Sequence, residues 1–367
     1  LRARCGSRWR RACGIGLAAQ GGSSILAERA TGRACAPMLL WNDARGADDC
    51  AELARRTTPQ FWRSQFRLSA PPSGLGRLAW LTRACPDLFT PRHIHAGAGE
   101  WVFHRLTKVW RQDAGNALQI GTYSPPKRRL VDTALRLIEL PLDIVAPLRQ
   151  GHETAPLSDE AARLFDLPSG VPVAGPYLDQ EAGYLAAADT CTRPLQCSLG
   201  TAWVGNFRLP KGVRGSSPFQ LVLPSPSDDG DLIVHPLLTG NTSWNWALST
   251  FLDAPPADVL THAARMMARR VAPPEGLMAI PYTLQPNPIA GTPGAAMFFG
   301  VSAATTRDDL LRAVVAGMTC ELARVLAALR EHGVVDGLVL GGGASQGKFF
   351  RDWLAALFHP LPVFYPQ

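Results

Sequence analysis

Three consecutive glycines, residues 341–343, stand at a position in the chain where they could bind an anion. They follow the apolar run Leu338–Leu340, which predicts a short strand, and they precede Ala344 and a segment, residues 346–357, that predicts a helix. Glycines at a strand-to-helix turn let the backbone approach a ligand closely, and the start of the helix offers unpaired N–H groups. The turn therefore indicates a nucleotide site, although many α/β proteins contain such a turn and bind no ligand there.

A second turn of small residues lies at Ser198–Thr201, between the apolar segments 195–197 and 202–204. This pattern predicts a β-hairpin whose tip contains Gly200 and the hydroxyl group of Thr201. Such a tip can direct backbone N–H groups and a hydroxyl group towards a phosphate. The hairpin is therefore a second candidate for phosphate binding.

Asp179 lies between a predicted buried strand at residues 171–175 and a predicted helix of small residues at 180–188. An isolated Asp at the start of a helix is more commonly an N-cap than a catalytic group. The order along the chain favours the functional interpretation, because the strand, the carboxylate and the helix are followed by the phosphate-type hairpin and then by the glycine turn.

Strands and helices of ordinary length are predicted around these residues, and the helix-then-strand order at residues 306–340 indicates a sheet flanked by helices. The predicted strands are 14–19, 24–27, 38–41, 171–175 and 334–340, and the predicted helices are 44–56, 75–84, 130–137, 158–166, 180–188, 241–251, 306–331 and 346–357.

Finer features are also predicted within three of these segments. Leu164 and Phe165 are expected on the buried face of the helix that starts at Ser158. Thr306 and Asp309 form a variant of the capping box at the start of the longest helix. Residues 210–231 are rich in Pro, Ser, Gly and Asp, and are expected to form a loop.

The composition fits a soluble globular α/β protein of two domains, since 367 residues are 46% hydrophobic and 18% charged. No window of 18 or more uncharged apolar residues predicts a membrane span, and no signal peptide is evident. The eight cysteines form no C-x-x-C pair. Most of them are therefore expected to be reduced thiols, in the core or at the surface of a cytoplasmic protein.

The net charge of +7 is concentrated in five arginines among the first eleven residues. Such a cluster could bind a phosphate backbone without sequence preference. A solvated helix or a ragged end of the chain is the favoured interpretation, because the other arginines show no interleaved aromatic residues for stacking bases. No specific nucleic acid and no membrane are expected as partners.

Seven segments, spread over nearly the whole chain, resemble in their order and spacing the motifs of the FGGY carbohydrate kinases, especially the xylulokinase-like branch. Residues 40–45 are similar to the family's Trp-x-Asp-x-Arg segment on the sugar side, and residues 175–182 resemble the region of its catalytic Asp. Residues 341–345 resemble the adenosine motif. The seven segments are 16–20, 40–45, 106–116, 175–182, 198–201, 298–317 and 341–345.

This resemblance implies an α/β fold of the two-domain actin-like, ribonuclease-H-like ATPase type, with an interdomain cleft. The sugar-binding domain would comprise residues 1–185 and the ATP-binding domain residues 186–367. The resemblance also implies a small-molecule sugar as substrate, and it allows a homodimer.

The implied activity is the ATP-dependent phosphorylation of a hydroxyl group on a pentulose or a related ketose or polyol. Asp179 would accept the proton of the attacking hydroxyl group, and Mg²⁺ would bridge the phosphates, held largely through water with Asp179 nearby. The residues implied on the sugar side are Gln20, Trp41, Asn42, Asp43 and Gln180. Those implied on the nucleotide side are Ser198, Gly200, Thr201, Gly341, Gly342, Gly343 and Ala344.

Two of these residues have simpler interpretations. Asp43 could pair with Arg45 or cap the following helix, and Gln180 could begin a helix without binding the sugar. These alternatives stay open at the level of the sequence.

The chain also departs from the family pattern. No Asp-x-Gly-Thr turn precedes Gly16, and no further Gly-Ala-rich helix follows residues 363–367, so we expect a chain cut at both ends or a degenerate copy. Gly21 and Gly22 stand where a bulkier pair is common, and Tyr177-Leu178 replaces small glycines. The substrate is therefore open, and the alternative function is a non-catalytic protein of this fold that binds sugar or nucleotide.

Overall fold

The fold is described from a computed structural model, which describes residues 2–200, 203–210, 220–228, 230–237, 239–252, 259–283, 295–330 and 335–365. The chain divides into two units. The first comprises Leu1–Ala182 and Pro210–Ile233, and the second comprises Gly183–Leu209 and Val234–Gln367. The chain therefore passes between the units three times, whereas the sequence pattern gave one boundary near residue 185.

The described residues contain strands and helices along the whole chain. The strands are β1 (Ile15–Ala19), β2 (Ile25–Glu28), β3 (His93–Ala96), β4 (Tyr123–Ser124), β5 (Arg129–Leu130), β6 (Thr154–Pro156), β7 (Pro172–Leu178), β8 (Pro194–Leu199), β9 (Trp203–Leu209), β10 (Leu221–Pro224), β11 (Asp231–Pro236), β12 (Met278–Ile280), β13 (Met297–Phe299), β14 (Gly337–Gly341) and β15 (Val363–Phe364). The α-helices are α1 (Arg2–Cys5), α2 (Ala47–Arg56), α3 (Pro59–Phe66), α4 (Ser73–Ala84), α5 (Ala98–Thr107), α6 (Ala114–Gln119), α7 (Asp159–Phe165), α8 (Asp179–Ala188), α9 (Asn241–Phe251), α10 (Val259–Arg269), α11 (Arg307–Arg330) and α12 (Lys348–Phe358).

A three-stranded sheet in the order β1-β7-β6 lies at the centre of the first unit. Strands β1 and β7 are parallel, with Ile15 opposite Val173 and Ala19 opposite Leu178. Helix α5 packs on this sheet, where the buried Phe103 joins Val173 in one apolar cluster. Because parallel strands end at the same edge of a sheet, the residues that follow β1 and β7 emerge side by side.

The returning segment of the first unit, Pro210–Ile233, is held by ion pairs to earlier residues of the same unit. Asp231 accepts from Arg67 at 3.2 Å and from Arg128 at 2.8 Å. Two guanidinium groups on one partly buried carboxylate fix the end of this segment more firmly than an isolated surface pair would.

The second unit contains four neighbouring strands of one sheet, in the order β9-β8-β14-β15. Strands β8 and β14 are parallel, with Ser198 opposite Gly341, and β9 returns antiparallel to β8. Helix α11 begins at the predicted capping box, since Asp309 accepts from the Thr306 amide at 3.1 Å and the Asp309 amide donates to the Thr306 hydroxyl at 3.2 Å. This prediction is confirmed.

Three predictions of local structure are wrong. Residues 38–41 form no strand and contribute only an isolated bridge between Leu39 and Ser24. Residues 130–137 form no α-helix, because Leu130 pairs with Tyr123 across the β4–β5 hairpin and only a short 3₁₀ helix forms at Leu135–Ile138. The predicted loop at 210–231 contains strand β10.

The buried face of α7 was also predicted wrongly. Leu164 is 74% exposed and Phe165 is 42% exposed. The residues that face the core are the alanines Ala161 and Ala162, which pack in the cluster of Phe103. Small side chains suit this position because α5 and the sheet already fill the space with larger residues.

The N-terminal arginines lie on exposed helical turns, and two of them pair within the first unit. Arg2 and Arg10 contact Asp166 at 2.8 Å and 2.7 Å.

All eight cysteines are free. No helix in the described ranges is both long and apolar enough to cross a membrane.

Candidate functional site

Gln20 and Asp179 are neighbours at one edge of the first unit's sheet. Gln20 follows Ala19 at the end of β1, and Asp179 follows Leu178 at the end of β7, and these two strand ends are paired in register. The carboxyl edge of a parallel strand pair is where open α/β sheets commonly bind ligands. The structure thus brings together the predicted base and one predicted sugar-side residue.

Asp179 is the first residue of α8, and its carboxylate is not bonded in the usual N-cap manner. Its Oδ1 atom accepts a hydrogen bond from the amide of the next residue, Gln180, at 2.9 Å, rather than from the second or third amide of the helix. The residue as a whole is exposed, but protein atoms around its carboxylate displace solvent and raise its pKa above the usual value. A carboxylate with a raised pKa is a stronger proton acceptor while it remains ionised.

The turn after Gln20 is held by a buried arginine that the sequence did not single out. Gly22 has a positive φ of 71°, and its amide donates to Asn116 Oδ1 at 2.9 Å. Arg77 Nη2 donates to the Gly22 carbonyl at 2.6 Å, and Arg77 Nη1 donates to the Trp41 carbonyl at 2.9 Å. Arg77 therefore joins the Gly22 turn to the Trp41 segment. Its only signal in the sequence is a charge within the apolar helix α4.

Trp41, Asn42 and Asp43 form a surface segment beside this arginine. The Trp41 side chain is 52% exposed, which leaves its ring open to a ligand. Asp43 accepts from Arg45, with Oδ2 at 2.6 Å from Nη2, and this partner lowers the Asp43 pKa to about 2. The Asp43 carboxylate is thus paired with Arg45, as the simpler interpretation held, and it is too weakly basic to accept a proton near neutral pH.

Leu178 occupies space beside the two-glycine turn. A Cβ atom on Gly21 would lie 2.6 Å from Leu178 Cδ1, and one on Gly115 would lie 2.8 Å from Leu178 Cδ2. A side chain at residue 21 would therefore collide with Leu178. Gly21 and the bulky Leu178, which the sequence presented as separate departures from the family pattern, therefore compensate for each other in volume, whereas a Cβ atom on Gly22 would meet Gln119 Oε1 at 2.5 Å.

A polar cavity of about 360 Å³ opens in the first unit next to α8. Its lining includes Arg149 and Glu181 from the interior and Ser225, Ser227 and Asp228 from the returning segment. The predicted sugar-side residues all belong to the described part of the chain, and none of them lines this cavity.

In the second unit the two predicted phosphate-binding turns are adjacent. Ser198 and Gly341 are paired between parallel strands, so the hairpin tip and the glycine turn leave the sheet at the same edge. The Gly200 carbonyl accepts from the Asn241 amide at 3.2 Å, which connects the tip to the start of α9. Thr201 lies outside the described residues.

Gly342 is the glycine that the turn requires. Its φ is +87°, and a Cβ atom there would lie 2.8–2.9 Å from backbone atoms of Leu199. Gly343, in contrast, has nothing within 4 Å of its Cβ position. A left-handed conformation and a close backbone contact together exclude a side chain at residue 342.

The helix after the glycines begins later than predicted. A 3₁₀ turn at Gly343–Gln346 intervenes, and α12 starts at Lys348. The Ser345 hydroxyl donates to the Gly342 carbonyl at 2.6 Å, which stabilises this extra turn. The unpaired N–H groups at the start of α12 are therefore displaced from the glycines by about one turn.

A larger and mainly apolar cavity of about 850 Å³ lies beside this turn in the second unit. Gly343, Ala344 and Lys348 line it on one side, and Trp244 and Met267 line it on the other. Trp244 is 5% exposed and meets Phe350 edge to face, so it belongs to the core and to the cavity wall. Pockets of this size and character accommodate a molecule as large as a nucleoside.

Within the described residues, no group of three or more His, Cys, Asp or Glu side chains could hold a metal ion by itself. Mg²⁺ is commonly bound by one or two carboxylates together with water and substrate phosphates. Asp179, an exposed single carboxylate, fits that mode of binding.

Comparison with known proteins finds similarity to carbohydrate kinases. Residues 9–186 match the FGGY family of carbohydrate kinases, N-terminal domain. A xylulose kinase of Escherichia coli (strain K12) is 26% identical over 349 residues, which cover 93% of this chain and 70% of that protein. A glycerol kinase of Thermus brockianus is 23% identical over 373 residues, which cover 96% of this chain and 72% of that protein.

A solved structure, that of xylulose kinase from Rhodospirillum rubrum, is similar with a TM-score of 0.80 and 21% identity. The similarity covers 96% of this chain and 73% of that chain. It shows the fold of this protein, which is the α/β, actin-like ATPase fold.

Proposed function

Because this chain belongs to the FGGY family of carbohydrate kinases, we propose that it transfers the terminal phosphoryl group of ATP to a hydroxyl group of a small sugar. The substrate class we propose is a pentulose or a related ketose or polyol. Relatives that are named as xylulose and glycerol kinases support this range.

The observation that carries the proposal is the placement of Asp179. Its carboxylate begins α8 at the paired ends of β1 and β7, beside Gln20, and its pKa is raised by burial, with no ion-pair partner among the described residues. A carboxylate of this kind can accept the proton of an attacking hydroxyl group as the new oxygen–phosphorus bond forms. The ADP oxygen leaves with the electron pair of the broken bond.

The other residues serve to bind and orient. Gln20, Gln180 and the exposed ring of Trp41 would contact the sugar, while Asn42 and the Asp43–Arg45 pair shape the wall beside them. Ser198, Gly200, Thr201 and the glycine turn would surround the phosphates and the nucleoside. Mg²⁺, when bound, would neutralise phosphate charge, with Asp179 contacting its water ligands.

The cavity beside Gly343 and Ala344 supports the nucleoside part of this assignment. Its apolar lining, with Trp244 and Met267, is suited to a purine ring, and the Lys348–Asp352 ion pair lies at its border. A homodimer and a cytoplasmic location stay predictions, which light scattering and cell fractionation would test.

The test is sugar-dependent ADP release over a panel of ketoses and polyols, measured for the protein and for Asp179→Asn. We expect release with one class of sugar, and a decrease in kcat of about 10²- to 10⁴-fold in the variant, because the amide cannot accept the proton. Asp189→Asn is the matched control, since Asp189 is exposed just beyond α8, and its activity should stay unchanged.

If no sugar supports ADP release by a folded protein that still binds ATP, the non-catalytic alternative becomes the better description. If release occurs but survives Asp179→Asn, the chain is a kinase whose base is another residue.

A further inference from the structure

One buried guanidinium group contacts the chain on both sides of Asp179. The Arg149 side chain is 4% exposed, and its Nε atom donates to the Pro176 carbonyl at 2.9 Å. Its Nη2 atom donates to both carboxylate oxygens of Glu181, at 2.8 Å and 3.0 Å. Pro176 precedes Asp179 by three residues in β7, and Glu181 follows it by two in α8. Arg149 thus spans the turn that presents the carboxylate.

The plane of the guanidinium group is fixed as well as its charge. The Arg149 Cζ atom lies 4.2 Å from the centre of the Tyr177 ring, and Nη1 donates to the Gly151 carbonyl. Tyr177 is held in turn, because its hydroxyl group contacts His152 Nδ1 at 2.8 Å and His152 Nε2 contacts Ser227 Oγ at 3.1 Å. Stacking and directional hydrogen bonds together hold the guanidinium group in one orientation against the end of β7.

The burial of this pair is not explained by stability alone. Removing two charges from water costs about as much free energy as their attraction returns, so a buried ion pair seldom stabilises a fold more than apolar residues would. Burial raises the pKa of Glu181 to about 7 even though Arg149 opposes the shift. Because desolvation cancels most of its stabilising effect, the buried Arg149–Glu181 pair is better explained by the geometry that it imposes on the chain.

Tyr177 is one of the positions where the chain departs from the family pattern. A glycine there would offer no ring for the guanidinium group to stack on and no hydroxyl group for His152. The contacts that orient Arg149 towards Glu181 therefore depend in part on having a tyrosine at residue 177.

We propose that Arg149 is a positioning residue, which fixes the junction of β7 and α8 through Pro176, Tyr177 and Glu181 and thereby aims the Asp179 carboxylate at the attacking hydroxyl group. This inference rests on the proposed function, since it assigns Asp179 the role of base. Arg149 does not itself contact the substrate in this assignment.

The first test compares steady-state kinetics of Arg149→Met and Arg149→Lys with a matched control, Arg111→Met. Arg111 is a similarly enclosed arginine of the same unit, with a 2.7 Å ion pair to Glu153 and its guanidinium group over the Phe103 ring, but its recorded partners lie outside the turn at Asp179. We expect kcat of Arg149→Met to fall roughly 10- to 100-fold with KM nearly unchanged, because a small misplacement of a catalytic group has such an effect.

Arg149→Lys keeps the positive charge but loses the separate donors to Pro176 and Glu181 and the stacking on Tyr177. It should therefore recover only part of kcat. Arg111→Met should leave kcat unchanged. A loss confined to KM, or an equal loss in the control, would overturn the proposal, because either would indicate binding or general stability instead.

The second test does not depend on kinase activity. Hydrogen exchange of a peptide covering residues 177–186 should become about tenfold faster in Arg149→Met and stay unchanged in Arg111→Met, because the first turn of α8 loses a tether. If the unaltered protein phosphorylates no sugar, the proposed function fails while this comparison still decides whether Arg149 fixes the turn. Unchanged exchange in Arg149→Met would reject the inference whatever the kinetics show.

Arg149→Met could fold poorly, and Glu181→Gln is the second variant for that case. It keeps the size of the side chain and one acceptor, and it should reproduce the same selective decrease in kcat. Normal kcat and normal exchange in Glu181→Gln would contradict the proposal.

Discussion

Glu100 and Asp113 bring two carboxyl groups into the interior of the first unit. Glu100 is 2% exposed, and its Oε1 atom has no hydrogen-bond partner among the described residues. Burial, with the charge of Asp113 as a smaller contribution, raises the pKa of Glu100 to about 8. The Glu100 carboxyl group is therefore mostly protonated at neutral pH in the folded protein.

This shift predicts how Glu100→Gln changes the pH dependence of stability. Between the unfolded pKa of 4.5 and the folded pKa of about 8, the folded state binds more protons, so the stability of the unaltered protein falls as pH rises. Gln does not titrate, so the stability of the variant relative to the unaltered protein should increase as the pH rises. Urea denaturation at pH 5 and pH 8 measures this difference.

The control is Glu275→Gln, an exposed residue of the second unit, which should shift stability little and equally at both pH values. A difference between Glu100→Gln and the unaltered protein that does not vary with pH would contradict the prediction.

Site residues that directly follow an apolar strand could be predicted from the sequence. Residues whose hydrogen-bond partners are distant in the sequence could not. Asp179 and Gln20 directly follow apolar strands, which are local signals. Arg77 bonds to a glycine 55 positions away, and Arg149 bonds to Glu181 across 32 positions. No periodicity in the chain records such pairs, because only folding brings them together.

At the scale of elements, propensity predicted a helix correctly where local pattern and tertiary packing agree. Helix α9 has the predicted bounds, Asn241–Phe251, and α11 begins at its predicted cap. The leucines of residues 130–137 suggested a helix equally well, but the Val131 amide donates to the Thr122 carbonyl at 2.7 Å. The hairpin partner decides the conformation there, since tertiary contacts override weak intrinsic preferences.

The strand-to-helix turn after β14 gives a prediction that separates two neighbouring glycines. Gly342→Ala should destabilise the second unit by about 1–3 kcal/mol and weaken ATP binding, because residue 342 has a positive φ and contacts the Leu199 backbone. Gly343→Ala is the matched control and should fold normally, since its Cβ position is open. Thermal denaturation and nucleotide titration of both variants provide the measurement.

Equal stability of the two variants would show that the turn relaxes to accept a side chain. Weakened ATP binding by Gly343→Ala alone would instead place the nucleotide against residue 343 without a special role for Gly342.

At the scale of the whole molecule, the proposed function assigns one ligand to each unit. Sugar should slow hydrogen exchange in peptides from Leu1–Ala182, around Gln20 and Trp41, when it is added alone. A non-hydrolysable ATP analogue should slow exchange in peptides of the second unit, around Ser198 and the glycine turn. Protection follows because a ligand stabilises the segments that it contacts.

The control for this experiment is a sugar that fails in the ADP-release panel, which should protect neither unit. Protection of the first unit by the ATP analogue alone would contradict the assignment of ligands to units.

The three passages of the chain between the units limit how its gene can be recombined. A crossover at residue 182 between two related genes would join the first unit of one parent to the segment Pro210–Ile233 of the other. Asp231 of that foreign segment would then have to match the inherited Arg67 and Arg128. Exchanging a complete unit requires three coordinated crossovers, so the two halves of this gene are expected to be inherited together.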